Sequence, residues 1–162
     1  MIKFVSETVQ VHVASYFEEI QATKYLVLKR SQNVKVYPGI WQVITGTIEG
    51  DETALSTALR ETMEEIGCKP IRMWTIPYIT RFFNPKNDTI QASPVFGMII
   101  DSRQQIKLSD EHEKYEWLHL DMAIEKLLLP SHRDATNIFN EFIINAKDKS
   151  LFEINLTDKL LI

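Results

Sequence analysis

The chain is predicted to fold as a mixed α/β or α+β domain. Short apolar or alternating runs, the mark of strands, recur along its length. Between them lie three stretches whose apolar residues fall at helical spacing. The two patterns interleave without an internal repeat, a low-complexity tract or a linker long enough to separate domains. At 162 residues, with 44% hydrophobic and 25% charged side chains, the chain has the length and composition of one soluble domain with a sizeable core, residues 1–162.

Residues 4–17 alternate loosely (Phe4, Val9, Val11, Val13, Ser15, Phe17) and predict one or two strands. Residues 18–23 are polar enough for a turn, and Tyr25 to Leu28 is an apolar run with basic ends, a buried strand. Asn33, Pro38 and Gly39 mark a loop, after which Trp41 to Thr45 is a brief strand. A helix starts near Asp51–Thr53, where either residue suits a cap, and stops at Gly67, with Pro70 beyond. Residues 71–83 and 91–100 are rich in Ile, Trp, Tyr, Val and Phe. They predict an antiparallel ribbon, broken at Pro77 and turning at Asn84–Asp88. Residues 103–113 predict a loop and 115–119 a short strand. A helix then follows over 121–129, ended by Pro130, and an amphipathic helix over 134–146. The tail, residues 150–162, alternates and predicts an edge strand or a contact between copies in a homodimer.

Composition narrows the function. A net charge of −4 gives no surface for nucleic acid or anionic membrane. No run approaches the ~18 apolar residues of a membrane span, and the alternating N-terminus does not resemble a signal peptide. A cytoplasmic protein is the expectation, and the single cysteine, Cys68, excludes an internal disulfide. Its position suits a small buried side chain rather than a nucleophile.

The chemistry concentrates between Gly46 and Cys68. A loop with two glycines leads into about four helical turns that end in Arg60-Glu61-x-x-Glu64-Glu65-x-Gly67. Glu61, Glu64 and Glu65 share an arc of roughly 100°, while Leu55, Leu59, Met63 and Ile66 cluster on the opposite side as a core-facing stripe. Three like charges on adjoining turns repel. A hard cation such as Mg²⁺ or Mn²⁺, which selects carboxylate oxygens, turns that repulsion into coordination. An arbitrary acidic cluster is usually a solvated face; the surrounding pattern argues against that here.

That pattern resembles the box of the Nudix hydrolases, G-x5-E-x7-R-E-U-x-E-E-x-G-U with U a bulky apolar residue. All seven fixed letters are met, by Gly46, Glu52, Arg60, Glu61, Glu64, Glu65 and Gly67, while Thr62 and Cys68 stand at the U positions. The resemblance implies a mixed, partly curled sheet between helices, with the box helix packed beside it. It also implies Mg²⁺- or Mn²⁺-dependent hydrolysis of a nucleoside diphosphate linked to another group. Glu61, Glu64 and Glu65 would hold the metal, with Glu61 alternatively acting on the attacking water. Family members differ in which glutamate is the base, so that assignment stays open. A backbone carbonyl at Thr45 or Gly46 would complete the coordination. Glu52 and Arg60 would form an ion pair that orients the loop against the helix. A fourth carboxylate often comes from a distant loop, and Glu111 is the best candidate, with Asp110 and Glu113 competing.

Arg30 suits a phosphate contact, because a guanidinium matches phosphate oxygens, and Thr45 is a further candidate for substrate binding. Trp41 suits stacking on a base or pterin ring, or core packing. His12 and His119 are expected to be structural. His112 is placed to assist Glu111, and His132 and Arg133 are further candidates for substrate contact. Trp41-Gln-Val-Ile-Thr-Gly, with Ser109-x-Glu111-His112, looks like the bacterial Nudix members that act on dihydroneopterin triphosphate or dATP. That implies a nucleoside or pterin triphosphate as substrate and pyrophosphate as product. Diadenosine polyphosphates are the runner-up substrate and oxidised nucleotides a third. A non-catalytic nucleotide-binding module is the alternative class, and the intact box argues against it.

Overall fold

A computed structural model describes residues 1–157. Its centre is a mixed sheet in which strand β7 (Thr89–Ile99) has three partners. It pairs antiparallel with β6 (Arg72–Asn84), parallel with β2 (Thr8–Phe17) through Val95–Ile99, and parallel with β1 (Lys3–Val5) through Thr89–Gln91. On its other side β2 meets β5 (Ile44–Thr47) at its start and β3 (Ala22–Arg30) at its end, both antiparallel. β3 in turn carries β4 (Trp41–Gln42) and β8 (His112–Leu118). Branching of this kind forces curvature, because one strand faces different neighbours along its length.

Alternation along β2 sets the two layers. Val9, Val11 and Val13 point to one face, where α1 (Ala54–Ile66) closes a core with Leu26, Leu28, Ile44 and Met98. Ala14 helps line the opposite core with Tyr25, Val27 and Val43, covered by α2 (Leu120–Lys126) and α3 (Pro130–Phe139). The sheet therefore lies between helices, as the resemblance implies. Phe139 is fully buried there, and burial of such a side chain contributes about 1.5–3 kcal/mol.

Several boundaries differ from the sequence expectation for physical reasons. Helix α2 stops at Lys126, and Pro130 does not close it; Pro130 opens α3, where a missing N–H costs nothing. The regular part of the last helix ends at Phe139 and continues as a π-helical turn, Asn140–Ile144. β8 starts at His112, inside the expected loop, because His112 is paired with Arg30. The ribbon persists through Pro77 by shifting register between Thr75 and Ile79. In the tail, Thr75 N–H donates to the Phe152 carbonyl and Ile154 N–H to that of Met73, a short edge pairing with β6. Residues 158–162, the rest of that expectation, lie outside the described residues.

The box helix is rotated relative to the expected stripe. Its buried line runs Ala58, Thr62 and Ile66, with Leu55 and Leu59 half-buried, while Met63 is 40% exposed. Glu65 falls inside that buried face, 3% exposed. Among the described residues, no helix is long and apolar enough to cross a membrane.

Candidate active site at the start and end of helix α1

Helix α1 is fixed at both ends. The Thr53 hydroxyl accepts from Ser56 N–H (3.1 Å), and the Ser56 hydroxyl accepts from Thr53 N–H (2.9 Å), a reciprocal cap. At the other end Gly67 takes φ +68°, a left-handed conformation that favours glycine, and donates to the Met63 carbonyl.

The loop before the helix is clamped by Arg60. Its Nε and Nη2 donate to both oxygens of Glu52 (2.7 and 2.9 Å), and Nη2 also reaches the Thr47 carbonyl (3.0 Å). Glu52 accepts in addition from Thr57 Oγ1 and Glu49 N–H. The Arg60 guanidinium, the largest of these influences, brings the Glu52 carboxyl down to about 2. The remaining Arg60 nitrogen donates to Glu61 (2.8 Å) and Glu64 (3.0 Å).

Between β5 and α1 lies an open cleft of about 330 Å³, walled by Thr45, Gly46, Glu61, Glu64 and Glu111. Burial raises the Glu61 pKa, Arg60 opposes, and Glu64 and Glu111 add to the rise. Glu65 is pushed well above the carboxylate range, by burial first and then by Glu61 and Glu111; Arg30 and the Thr45 amide oppose. One oxygen of Glu65 has no hydrogen-bond partner. Like charges around a single cleft thus add to the cost of ionising Glu61 and Glu65. Glu111 reaches it from beyond β7, with Arg30 at 3.7 Å. Of its two competitors, Glu113 is paired with Lys29 at 2.6 Å, and Asp110 is exposed in the turn.

The other candidates lie elsewhere. Trp41 does not line the cleft: it packs on the α2–α3 core, with Lys126 Nζ 4.2 Å from its ring centroid. His12 is a satisfied core histidine. Its Nδ1–H donates to Thr136 Oγ1, which itself donates to the His132 carbonyl, and Nε2 accepts from Gln10. His119 precedes α2 and makes no cap. His132 is buried on the α3 side, and Arg133 donates to the Leu127 carbonyl (2.6 Å), joining α2 to α3. Cys68 is buried, and burial pushes its thiol up, away from reactivity.

His112 differs most from expectation. Its ring lies buried between Gln42 and Glu65. Sequence reasoning missed Gln42 in this role, although it stands within the Trp-Gln-x-x-Thr-Gly run. Thr8 and Glu49 also line the cleft and were not singled out; Thr8 arrives there through the pairing of β2 with β5.

The oxygens that could hold a divalent ion are those of Glu61, Glu64, Glu65 and Glu111 and the carbonyl of Thr45 or Gly46, all hard donors. Among the described residues no three acidic, His or Cys side chains are already gathered as a ligand set, and Arg60 holds Glu61 and Glu64. The unpartnered buried oxygen of Glu65 and the repulsion it meets from Glu61 and Glu111 fit a cation.

The NUDIX domain family model matches residues 10–140. This chain belongs to the Nudix family. Its named hydrolase relatives make it a Nudix hydrolase. It is 29% identical over 104 residues to the rat asymmetrical bis(5'-nucleosyl)-tetraphosphatase, covering 63% of this chain and 68% of that one. It is 27% identical over 156 residues to the dihydroneopterin triphosphate diphosphatase of Escherichia coli K12, covering 89% and 97%. The solved structure of the E. coli dihydroneopterin triphosphate pyrophosphohydrolase matches with a TM-score of 0.66 at 22% identity. That match covers 90% of this Nudix chain and 100% of that one, and shows a shared fold. Nudix hydrolases generally depend on a divalent metal.

Proposed function

We propose that this chain is a single-domain Mg²⁺- or Mn²⁺-dependent pyrophosphohydrolase. It cleaves a nucleoside or pterin triphosphate, dihydroneopterin triphosphate or a deoxynucleoside triphosphate, to the monophosphate and pyrophosphate. The observation that carries this is the convergence of Glu61, Glu64 and Glu111 on one cleft, with Glu65 buried behind it, repelled by Glu61 and Glu111 and with one oxygen left unpartnered. The relative from E. coli, aligned over 97% of its length, supports the choice of substrate class.

Glu61, Glu64, Glu65, Glu111 and the Gly46 carbonyl would hold the ion, which when bound would neutralise polyphosphate charge and lower the pKa of the attacking water. The water oxygen bonds to phosphorus, the bridging P–O bond breaks, and pyrophosphate leaves. The water's proton passes to Glu61 or Glu64, the carboxylates at the open side. Glu52 holds Arg60, and so the loop, in place. Thr45, on the cleft wall, contacts the polyphosphate, and Arg30, beside Glu111, supplies a positive charge for it. Trp41 takes no role, because Lys114 and Lys126 lie over its ring and it packs against the α2–α3 core, away from the cleft. The unpaired Cys68 suits a cytoplasmic setting.

A second reading, hydrolysis of diadenosine polyphosphates, is favoured by the rat relative. A phosphate-release screen with Mg²⁺ separates them. Signal from a triphosphate that requires added pyrophosphatase supports the first reading. Signal from a dinucleotide that requires added alkaline phosphatase, with none from triphosphates, replaces it with the second. No turnover of either class defeats both.

A further inference from the structure

Four buried side-chain polar atoms lack a hydrogen-bond partner among the described residues, and three of them, Glu65 Oε2, Ser109 Oγ and His112 Nδ1, belong to residues brought together where α1 ends. The backbone fixes this junction. Ser109 N–H donates to the Glu65 carbonyl (3.1 Å), His112 N–H to that of Ser109 (3.1 Å), and Lys107 N–H to that of Ile66 (2.9 Å). The His112 side chain is wholly buried, and its Nε2 stands 3.7 Å from Glu65 Oε2 and 3.2 Å from Gln42 Nε2.

As oriented, the Gln42 amide donates to His112 Nε2. That leaves the ring proton on Nδ1 without an acceptor and the Glu65 oxygen without a donor. The O and N of an amide exchange by a half-turn of its last torsion. With Gln42 Oε1 facing the ring, the imidazole proton sits on Nε2, between Gln42 and Glu65. A shift of less than about 1 Å then completes a hydrogen bond to Glu65 Oε2.

The geometry points to His112 as the positioning residue that aims the Glu65 carboxylate at the ion, with Gln42 setting the ring's proton. This rests on Glu65 being an ion ligand, as proposed above. The Thr45 N–H already donates to this carboxylate; at this depth its unpartnered second oxygen needs a donor too, and outer partners of this kind hold ligands in register. His112 touches neither substrate nor ion; it acts through Glu65.

The test is the affinity for Mn²⁺ alone, measured by calorimetry on the whole chain. Four proteins are compared with the parent: Glu65→Gln, His112→Phe, His112→Gln and the double variant Glu65→Gln/His112→Phe, each checked for folding by thermal unfolding. His112→Phe keeps the ring's volume but has no N–H, and is expected to weaken Mn²⁺ about 10- to 100-fold. His112→Gln presents an N–H near the position of Nε2 and restores affinity to within about threefold of the parent. In the Glu65→Gln background the Phe change adds nothing further. The inference is overturned if Glu65→Gln weakens Mn²⁺ while His112→Phe does not, or if His112→Gln is as weak as His112→Phe. If Glu65→Gln itself binds Mn²⁺ like the parent, the proposed ion site fails and the inference with it.

Discussion

Glu61 lies so close to Gly46 that a Cβ built on the glycine falls 2.1 Å from the glutamate's Cγ. The glycine is thus required by the carboxylate's path and not by backbone torsion. Gly46→Ala drives Glu61 off its place. Since a displacement of about 1 Å at a reacting group costs about 10²-fold in rate, kcat falls by that order while the protein still folds. Steady-state kinetics beside a thermal melt check both halves.

Burial makes the Glu65 carboxylate expensive without an ion. Its raised pKa means that its stabilising contribution is complete below the unfolded carboxylate value and is lost as pH rises through the folded one. Glu65→Gln removes that loss. At pH 8 without metal the variant melts above the parent, and each 1 kcal/mol gained appears as about 2–4 °C in a chain of this size. The same variant has no detectable turnover. A lower melting temperature contradicts the electrostatic account of this position.

His132 sits on the far side of the sheet with burial holding its pKa at about 4, against 6.5 when unfolded. A neutral buried histidine stabilises fully above the unfolded value, and that stability is lost as pH falls from about 6.5 toward 4. The shift is worth about 3 kcal/mol at most. Replacing His132 by Phe flattens the acid limb of stability against pH between those limits, as read by urea unfolding at several pH values.

Arg60 binds Glu52 with two nitrogens and shares the third between Glu61 and Glu64. Lysine carries the charge but not the planar fork. Arg60→Lys therefore lowers kcat about 10-fold while costing about 1 kcal/mol of stability or less, the range for exposed pairs. Kinetics and urea unfolding of the variant read the two effects separately.

What was legible in the sequence was local. The spacing of Arg60, Glu61, Glu64 and Glu65 fixes their common arc on a helix, and Thr53 and Gly67 carry the chemistry that starts and stops it. What was not legible depends on partners distant in sequence. Met63 and Glu65 exchange their expected environments because the sheet meets α1 along Ala58–Thr62–Ile66, a line turned by roughly 60° from the expected stripe at ~100° per residue. Trp41 turns to the α2–α3 side because β4 joins the edge of β3. His112 joins Glu65 because the 109–112 turn is tied to the helix end by main-chain bonds. Pro130 shows the same limit from the other direction, since a proline equally suits the stop of one helix and the first turn of the next.

The measurement that bears most directly on the central claim is pyrophosphate release from dihydroneopterin triphosphate and the deoxynucleoside triphosphates. It is followed with Mg²⁺, with EDTA, and with Glu65→Gln in place of the parent. The account predicts one pyrophosphate per triphosphate consumed with Mg²⁺, and none with EDTA or with the variant. Turnover that survives EDTA, or a Glu65→Gln protein as active as its parent, would contradict it.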